Sequence, residues 1–502
     1  MKLDETRRFD GLRRKLPVLV FWFFVLQPVL DMIGYWQSSL KLGNAFTLAL
    51  RILLLAALAV PAFLLTERKR AYLLAALGFA LFTGLHVLAC TLAPGGYSEP
   101  ARDLVNLVRI YMLPITALCF LTFFRRNPDV FPAVRKGMCA VLLLILAAQL
   151  LSTLTRTDPH TYRGEGVGVL GWFLWTNSQS AILSMLLPIV LCCALQDRKN
   201  AVIPVLLATA AAELPLFLLA PRLAYVCMLA VGFGYGLWVL VFARDRWKQA
   251  LAILLVTALF LAAYPISPTK ARKNAAQDQS AASQQHIDQK ELPSGKIPGE
   301  GESLSEEDLE KYEKIYHSLG TVYSVVERFG LERTLKAYNY TLDASVLCDA
   351  RLRKITYCRL LMEDAGPMSR LFGLNLSEMF QFIPQGFLNE ETGVWEDGYE
   401  SLDVENDFHG VYFLTGAAGL LFFLALFAAV LVKILLNLRG LRKSGCALDL
   451  GAFSAAFACA MLHAVFTASV LRRNNASVYL AVVVAAIVFL CEQKKHQAHL
   501  PD

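Results

Sequence analysis

Long apolar runs alternate with short polar connections along most of the chain. A run of roughly 20 apolar residues is long enough to cross a bilayer as a helix. Twelve segments meet or approach this length, and their apolar character predicts transmembrane helices at 16–35, 45–65, 71–93, 104–124, 134–154, 170–196, 200–219, 222–243, 249–266, 410–436, 447–470 and 476–491. The pattern therefore predicts an all-α fold: a polytopic membrane helical bundle of about 12 transmembrane helices.

One long polar connection interrupts this pattern between the ninth and tenth segments. Its first part, 267–305, has almost no large apolar side chains, which predicts disorder. From Ser305 onward a Ser-x-x-Asp capping signature precedes apolar residues at helical spacing, so 306–405 is predicted to be helical. The connection is interpreted either as a lid or catalytic subdomain or as an extracellular insertion without a role in chemistry. The predicted organisation is a bundle of nine helices (1–266), the loop (267–405), and three helices with a cytoplasmic tail (406–502).

Composition and charge agree with a membrane protein. Hydrophobic residues make up 56% of the chain, and the mean hydropathy is +0.48. Basic residues recur in every second connection, which predicts that these connections and both termini face the cytoplasm. The long loop is then extracytoplasmic. The net charge of +7 follows largely from this topology and requires no nucleic-acid partner.

Several arginines fall where the charge bias does not explain them. Arg51 and Arg109 lie in the outer thirds of the second and fourth helices, and Arg222 begins the eighth. Arg351 and Arg353 lie in the loop. A charge within a membrane segment is costly, so such side chains face the bundle interior or a wet cavity, or else snorkel to headgroups. Because the arginine fork suits phosphate, the set predicts an anion site for a lipid-linked pyrophosphate.

Other polar residues within the helices are weaker candidates. Asn177 opens the sixth helix, Glu213 lies in the seventh and His463 in the eleventh. Such residues more often form hydrogen bonds between packed helices than take part in catalysis. No compact His/Cys/Asp motif, Asp-x-Asp signature or Gly-rich phosphate loop is evident in the sequence. We therefore expect no metal, no cofactor and no ATP-driven transport.

Short motifs resemble the O-antigen ligase and O-antigen polymerase family of bacterial membrane glycosyltransferases. GWFLWTNSQSAILSMLLP, from residue 171, is similar to the family's Gly-aromatic-x-Asn-Pro-Asn-x-x-Ala helix start, with Asn177 at one asparagine and the proline and the other asparagine unmatched. APRLAY resembles the Ser-Arg-small turn, with Arg222 as the arginine. The segment DARLRKITYCRLLMEDAGPMSRLFGLN resembles a loop segment in which an arginine precedes a helix and a Leu-Phe-Gly turn, with Arg351 or Arg353 as the matching arginine.

The stretch DVENDFHGVYFLTGAAG resembles the family's His-Asn-x-Tyr-Leu…Gly-x-x-Gly segment. Counted back from the glycines, Asn406 matches the asparagine, and Glu405 stands where the family has histidine. Glu405, Asp407 and His409 are therefore all candidates for the catalytic base. A simpler interpretation is that Asp407 caps the following helix.

The resemblance implies transfer of a glycan from undecaprenyl pyrophosphate to a glycan or envelope-anchor acceptor. It also implies that the reaction takes place at the outer face of the bacterial cytoplasmic membrane, in surface polysaccharide biosynthesis. Ligase and polymerase remain alternatives, and the departure at Glu405 favours polymerase. A flippase for lipid-linked oligosaccharides, or another polysaccharide transporter, is the rival function, and a receptor or scaffold is a third. The absence of an internal repeat and the outer position of the charges disfavour transport.

Overall fold

The structure is a computed structural model. It describes residues 9–42, 45–93, 96–162, 165–197, 201–294, 304–375, 383–388, 395–400, 404–439, 441–443 and 445–498.

Each of the twelve apolar segments forms a helix, as predicted. The helices are Asp10–Ser39, Ala45–Leu65, Lys69–Leu92, Pro100–Arg126, Val130–Leu154, Thr176–Asp197, Val202–Leu218, Arg222–Phe242, Trp247–Ala262, Asp407–Asn437, Ala447–Phe466 and Asn474–Ala498. Within the described ranges, nine helices are long and apolar enough to cross a membrane; Ala45–Leu65, Val202–Leu218 and Trp247–Ala262 are not among the nine. The all-α membrane fold is thus confirmed, and the count of twelve spans stays a prediction.

The chain forms two compact units. The bundle unit comprises Met1–Leu81, Leu107–Arg272 and Leu421–Asp502, and the loop unit comprises Phe82–Asn106 and Lys273–Leu420. The loop unit therefore takes in the connection between the third and fourth helices as well as the long loop, a combination that the sequence did not suggest.

The centre of the bundle unit is the helix Thr176–Asp197. It packs against Val130–Leu154, Val202–Leu218 and Ala447–Phe466, and most of its side chains are buried. A salt bridge joins neighbouring helices at one end of this core, where Arg135 Nη1 lies 2.8 Å from Asp449 Oδ1. Most of the core is aliphatic and aromatic, so its stability comes mainly from close packing.

The loop unit is built mainly from short helices. They are Pro268–Asp288, Glu306–Ser318, Gly320–Phe329, Leu331–Ala337, Ala344–Leu347, Ala350–Asp364 and Pro367–Phe372. The predicted Ser-x-x-Asp cap is confirmed, because the Asp308 amide donates to Ser305 Oγ at 3.1 Å. Buried tyrosines such as Tyr312, Tyr316 and Tyr338 form much of the core.

Two predictions for the loop require correction. Disorder was predicted over 267–305, but Pro268–Asp288 is a helix, and 295–303 lie outside the described residues. Its many alanine, glutamine and lysine residues have high helix propensity, and Ile287 is buried. The loop is also not wholly helical: Ile383–Leu388 and Trp395–Glu400 form an antiparallel hairpin, with Ile383 opposite Glu400.

A break in the helix Asp407–Asn437 is the main irregularity near the predicted site. Gly416 has φ +65° and ψ −169°, which interrupts the helical backbone. The turn Leu371–Leu374 fills this break, and the Leu374 amide donates to the Phe413 carbonyl at 2.7 Å. Gly373, in this turn, also has a positive φ of 99°. The two glycines allow backbone to pack directly on backbone.

Candidate functional site

In the loop unit, one acidic side chain is held by two basic ones. The helix Ala350–Asp364 is capped by Asp349, whose carboxylate accepts from the backbone amide of Arg351 at 2.8 Å. Arg351 Nε then donates to Glu405 Oε2 at 2.8 Å, and Lys354 Nζ lies 4.0 Å from Glu405 Oε1. The Lys354 side chain is only 6% exposed, whereas that of Arg351 is 50% exposed. The Glu405 carboxylate thus orients a basic pair.

The next residues begin the broken helix. Asn406 Oδ1 accepts from the His409 amide at 3.0 Å, so Asn406 supplies a capping side chain. Asp407 is fully buried. His409 is exposed, and its ring packs at 6.1 Å from that of Phe413. Of the three candidate bases, His409 is the one that an acceptor in solvent reaches most directly.

Arg351 and Arg353 occupy different environments although they are two residues apart. Arg353 is completely buried, and burial lowers the pKa of its guanidinium, an effect that the neighbouring Tyr338 partly opposes. An exposed guanidinium is better placed to meet a ligand. Of the two arginines, Arg351 is the one whose side chain is accessible to a ligand.

In the bundle unit, Arg51 lies beside an apolar groove. One of its terminal nitrogens, Nη2, donates to Asp31 Oδ1 at 2.5 Å, and Asn475 Nδ2 donates to the other Asp31 oxygen at 3.3 Å. The second terminal nitrogen, Nη1, is buried and has no hydrogen-bond partner among the described residues. The groove is lined in part by Phe23 and Met112. Arg51 thus has donor capacity left for an anion.

Arg222 lies at a strained turn in the same unit. It follows Ala220, which has φ +77°, an unusual backbone conformation for alanine. The Val169 amide donates to the Leu218 carbonyl at 2.9 Å, and Gly168 leaves space for the methyl group of Ala220. Arg222 itself is exposed at the first residue of its helix. No hydrogen bond or ion pair of its side chain occurs within the described part of the chain.

Comparison with protein families settles where this chain belongs. Residues 13–336 match the family described as O-antigen ligase like membrane protein, a span of more than half of the chain. The chain is a member of this O-antigen ligase-like family. Membership confirms the resemblance noted from the motifs and indicates a multi-pass membrane protein of glycosyltransferase type. No curated protein matches the chain.

The remaining predicted residues of this O-antigen ligase-like protein have more ordinary environments. Arg109 and Asn177 are half-buried. His463 is fully buried, with Nε2 at 3.4 Å from Ser180 Oγ and 3.3 Å from Ser184 Oγ. These contacts join helices in the bundle, as expected for a packing role.

The structure thus brings only part of the predicted set together. Arg351, Glu405 and Asn406 form one cluster, with His409 a turn further along. In the described ranges, no hydrogen bond or ion pair joins Arg51, Arg222 and His463 to one another. The family match covers Arg51, Arg109, Asn177 and Arg222, but it ends before the loop cluster.

Sequence reasoning missed two features of the site. Lys354 was not singled out, although its position three residues after Arg351 places both on neighbouring parts of one helical face. The contact between the Leu371–Leu374 turn and Gly416 was also missed. In the sequence, only the Leu-Phe-Gly turn signalled this contact, and the motif does not indicate that the turn packs against the backbone at Gly416.

Proposed function

We propose that this O-antigen ligase-like protein polymerises a glycan carried on undecaprenyl pyrophosphate at the outer face of the cytoplasmic membrane. Both termini are cytoplasmic and the long loop is extracytoplasmic in this proposal. The observation that carries it is Arg222: an exposed arginine without an acidic partner in the described residues, set on a strained turn within the family match. Strained backbone is maintained where a function requires it.

The proposed role of Arg222 is to stabilise the departing pyrophosphate. Breaking the glycosidic bond transfers negative charge to the pyrophosphate oxygen, and a fixed guanidinium offsets that charge without reorganising. Arg51 supports this role with its available Nη1 donor. Arg109 completes the set of cations that we assign to the donor.

On the acceptor side, we propose His409 as the base. The acceptor hydroxyl must lose a proton as the new glycosidic bond forms, and a neutral imidazole can accept it. Glu405 is less suited because its carboxylate already contacts Arg351 at 2.8 Å and Lys354 at 4.0 Å. Asp407 is buried. We therefore assign Glu405 to holding Arg351 in place, and Asp407 to supporting the start of the helix.

Polymerase is preferred to ligase because Glu405 replaces the family histidine. In this proposal the acceptor is another glycan chain, and the separate envelope anchor that a ligase would use is the alternative. No metal or nucleotide cofactor takes part in the proposed transfer step. A flippase for lipid-linked oligosaccharides is the competing function.

The proposal is tested with Arg222→Ala, Arg222→Lys and His409→Ala in cells whose surface polysaccharide depends on this protein. Removing one fixed donor to the leaving group lowers rates by about 10²–10³-fold. Arg222→Lys keeps the charge but loses the fork, so its loss is smaller. Chain length is measured on gels, and lipid-linked units are quantified by mass spectrometry. Arg68→Ala, at another exposed arginine, is the matched control.

The expected result is loss of long chains with accumulation of short lipid-linked units at the outer face. Membrane levels of each variant are checked by immunoblotting. If the short units instead disappear from the outer face and collect inside, the protein is a flippase. If single units fail to reach a separate anchor while long lipid-linked chains persist, it is a ligase. Wild-type chain lengths in Arg222→Ala would reject the assigned pyrophosphate site.

A further inference from the structure

A second group of chemically active side chains lies in the loop unit, apart from the residues discussed so far. It consists of His86, Cys90 and Asp103, all of which are buried. His86 Nε2 lies 2.8 Å from Asp103 Oδ2 and 3.4 Å from Cys90 Sγ. The three donor atoms lie within 4.8 Å of one another. Nitrogen, thiol and carboxylate donors therefore converge on one point.

The surrounding contacts hold these side chains in place. The other ring nitrogen, His86 Nδ1, lies 2.7 Å from the carbonyl oxygen of Phe372 and donates its proton there. This contact leaves Nε2 directed at the group. The Tyr97 hydroxyl donates to Asp103 Oδ2 at 2.7 Å. Backbone carbonyls that fix a histidine, and hydrogen bonds that fix a carboxylate, are the usual outer contacts of metal ligands.

The spacing of the ligands follows from the helices. His86 and Cys90 are four residues apart on Lys69–Leu92, so they lie on one helical face. Asp103 belongs to the first turn of Pro100–Arg126. Tetrahedral zinc separates nitrogen and oxygen ligands by about 3.4 Å, and nitrogen and sulfur ligands by about 3.6 Å. The observed 2.8 and 3.4 Å therefore need only a small expansion.

A simple His–Asp ion pair explains these contacts less completely. Burying such a pair costs desolvation energy, and a thiol adds little to it as a weak hydrogen-bonding group. A divalent cation uses all three donors and is neutralised by the thiolate and the carboxylate. The geometry points to a zinc site formed by His86, Cys90 and Asp103, with the second Asp103 oxygen as fourth ligand.

The zinc site is structural. It ties the end of one helix and the start of the next to the turn that carries Phe372. Because closed sites with protein ligands stabilise folds, the cation fixes the Leu371–Leu374 turn in the break of the helix Asp407–Asn437. This inference is independent of the glycosyl-transfer proposal, since no ligand of the zinc is assigned to that reaction.

The test uses the full chain purified in detergent, stripped with a chelator and then given Zn²⁺ alone. We expect about one zinc per chain after desalting, measured by inductively coupled plasma mass spectrometry. Co²⁺ in place of Zn²⁺ gives a thiolate charge-transfer band, a measurement on the wild-type protein that needs no variant. Cys90→Ser removes this band and the bound zinc. Cys358→Ser, at another buried thiol of the loop unit, is the control.

A variant that weakens zinc binding without removing a ligand provides a second measurement. Tyr97→Phe removes the contact that orients Asp103, and it weakens zinc binding by roughly tenfold or more. The inference is overturned if folded wild-type protein binds no more zinc than Cys90→Ser. It is equally overturned if Co²⁺ gives no thiolate band, because the group is then only a hydrogen-bonded ion pair.

Discussion

The contact between Gly416 and the Leu371–Leu374 turn leads to a quantitative prediction. A β-carbon built on Gly416 would lie 2.2 Å from the Leu371 carbonyl carbon, and one on Gly373 would lie 2.2 Å from the Leu414 carbonyl oxygen. Real β-carbons do not approach other atoms this closely, and both obstacles are rigid backbone. Alanine at either position must therefore displace the turn from the helix break.

Two effects add up in each substitution. The backbone conformation at Gly416 is nearly restricted to glycine, which costs another residue about 1–3 kcal/mol. Overpacking against rigid backbone adds about 1–3 kcal/mol. The sum is about 2–6 kcal/mol per substitution. In a unit of this size each kcal/mol shifts the unfolding midpoint by about 2–4 °C, so the expected loss is at least about 4 °C.

The assay is thermal unfolding of the purified protein in detergent, together with limited proteolysis of the long loop. Gly416→Ala and Gly373→Ala should lower the midpoint and expose new cleavage sites near the turn. Gly366→Ala is the matched control, because this loop glycine has a negative φ and open space around its α-carbon. A Gly416→Ala protein with the stability and protection of Gly366→Ala would refute the reasoning.

Two further predictions concern the helix Ala350–Asp364. Asp349→Ala removes the capping carboxylate and costs about 1 kcal/mol, whereas Asp349→Asn retains a cap; equal midpoints for the two variants would contradict this role. At the other end of the helix, the hydrogen bond from Arg333 lowers the pKa of Asp364 in the folded protein. The ionised Asp364 carboxylate therefore stabilises the fold above its unfolded-state pKa, and this stabilisation is lost as the pH falls through the lower folded-state pKa. The effect stays below about 1 kcal/mol because the side chains are 35% and 56% exposed, and Asp364→Asn should reduce the loss of stability between neutral and acidic pH. An unchanged acid dependence of the midpoint in Asp364→Asn would argue against it.

Much of the fold was predictable because apolar runs report directly on membrane helices. The segments from 16–35 to 476–491 all form helices, since each is apolar over most of its length. Reasoning from hydrophobicity gave the wrong result for Pro268–Asp288, which was predicted to be disordered and is a helix. Low hydrophobicity excludes a large core, but it does not exclude a helix of good helix formers that is anchored at a few positions, such as Gln284, which accepts from the Ala344 amide.

The site was less predictable because its contacts join distant parts of the chain. Asp407 and Asn406 are equally good capping residues by type, and only the backbone geometry shows that Asn406 makes the bond. Arg351 and Arg353 were equivalent in the motif, yet one is exposed and the other buried. His86 and Cys90 had a helical spacing that could have been noticed, but Asp103 joins them only through the fold.

The turn in the helix break also bears on how the protein is made. His86 contacts the carbonyl oxygen of Phe372, a residue 286 positions further along the chain. The Leu371–Leu374 turn packs against Gly416, which belongs to the tenth apolar segment. Synthesis runs from the first residue to the last, so Phe82–Asn106 of the loop unit lacks the contact with Phe372 until the long loop has been synthesised. The Leu371–Leu374 turn likewise has nothing to pack against until the helix beginning at Asp407 has been synthesised. The loop unit therefore completes its folding late, and a nascent chain released before Asp407 carries an incompletely folded loop unit that quality-control proteases can recognise.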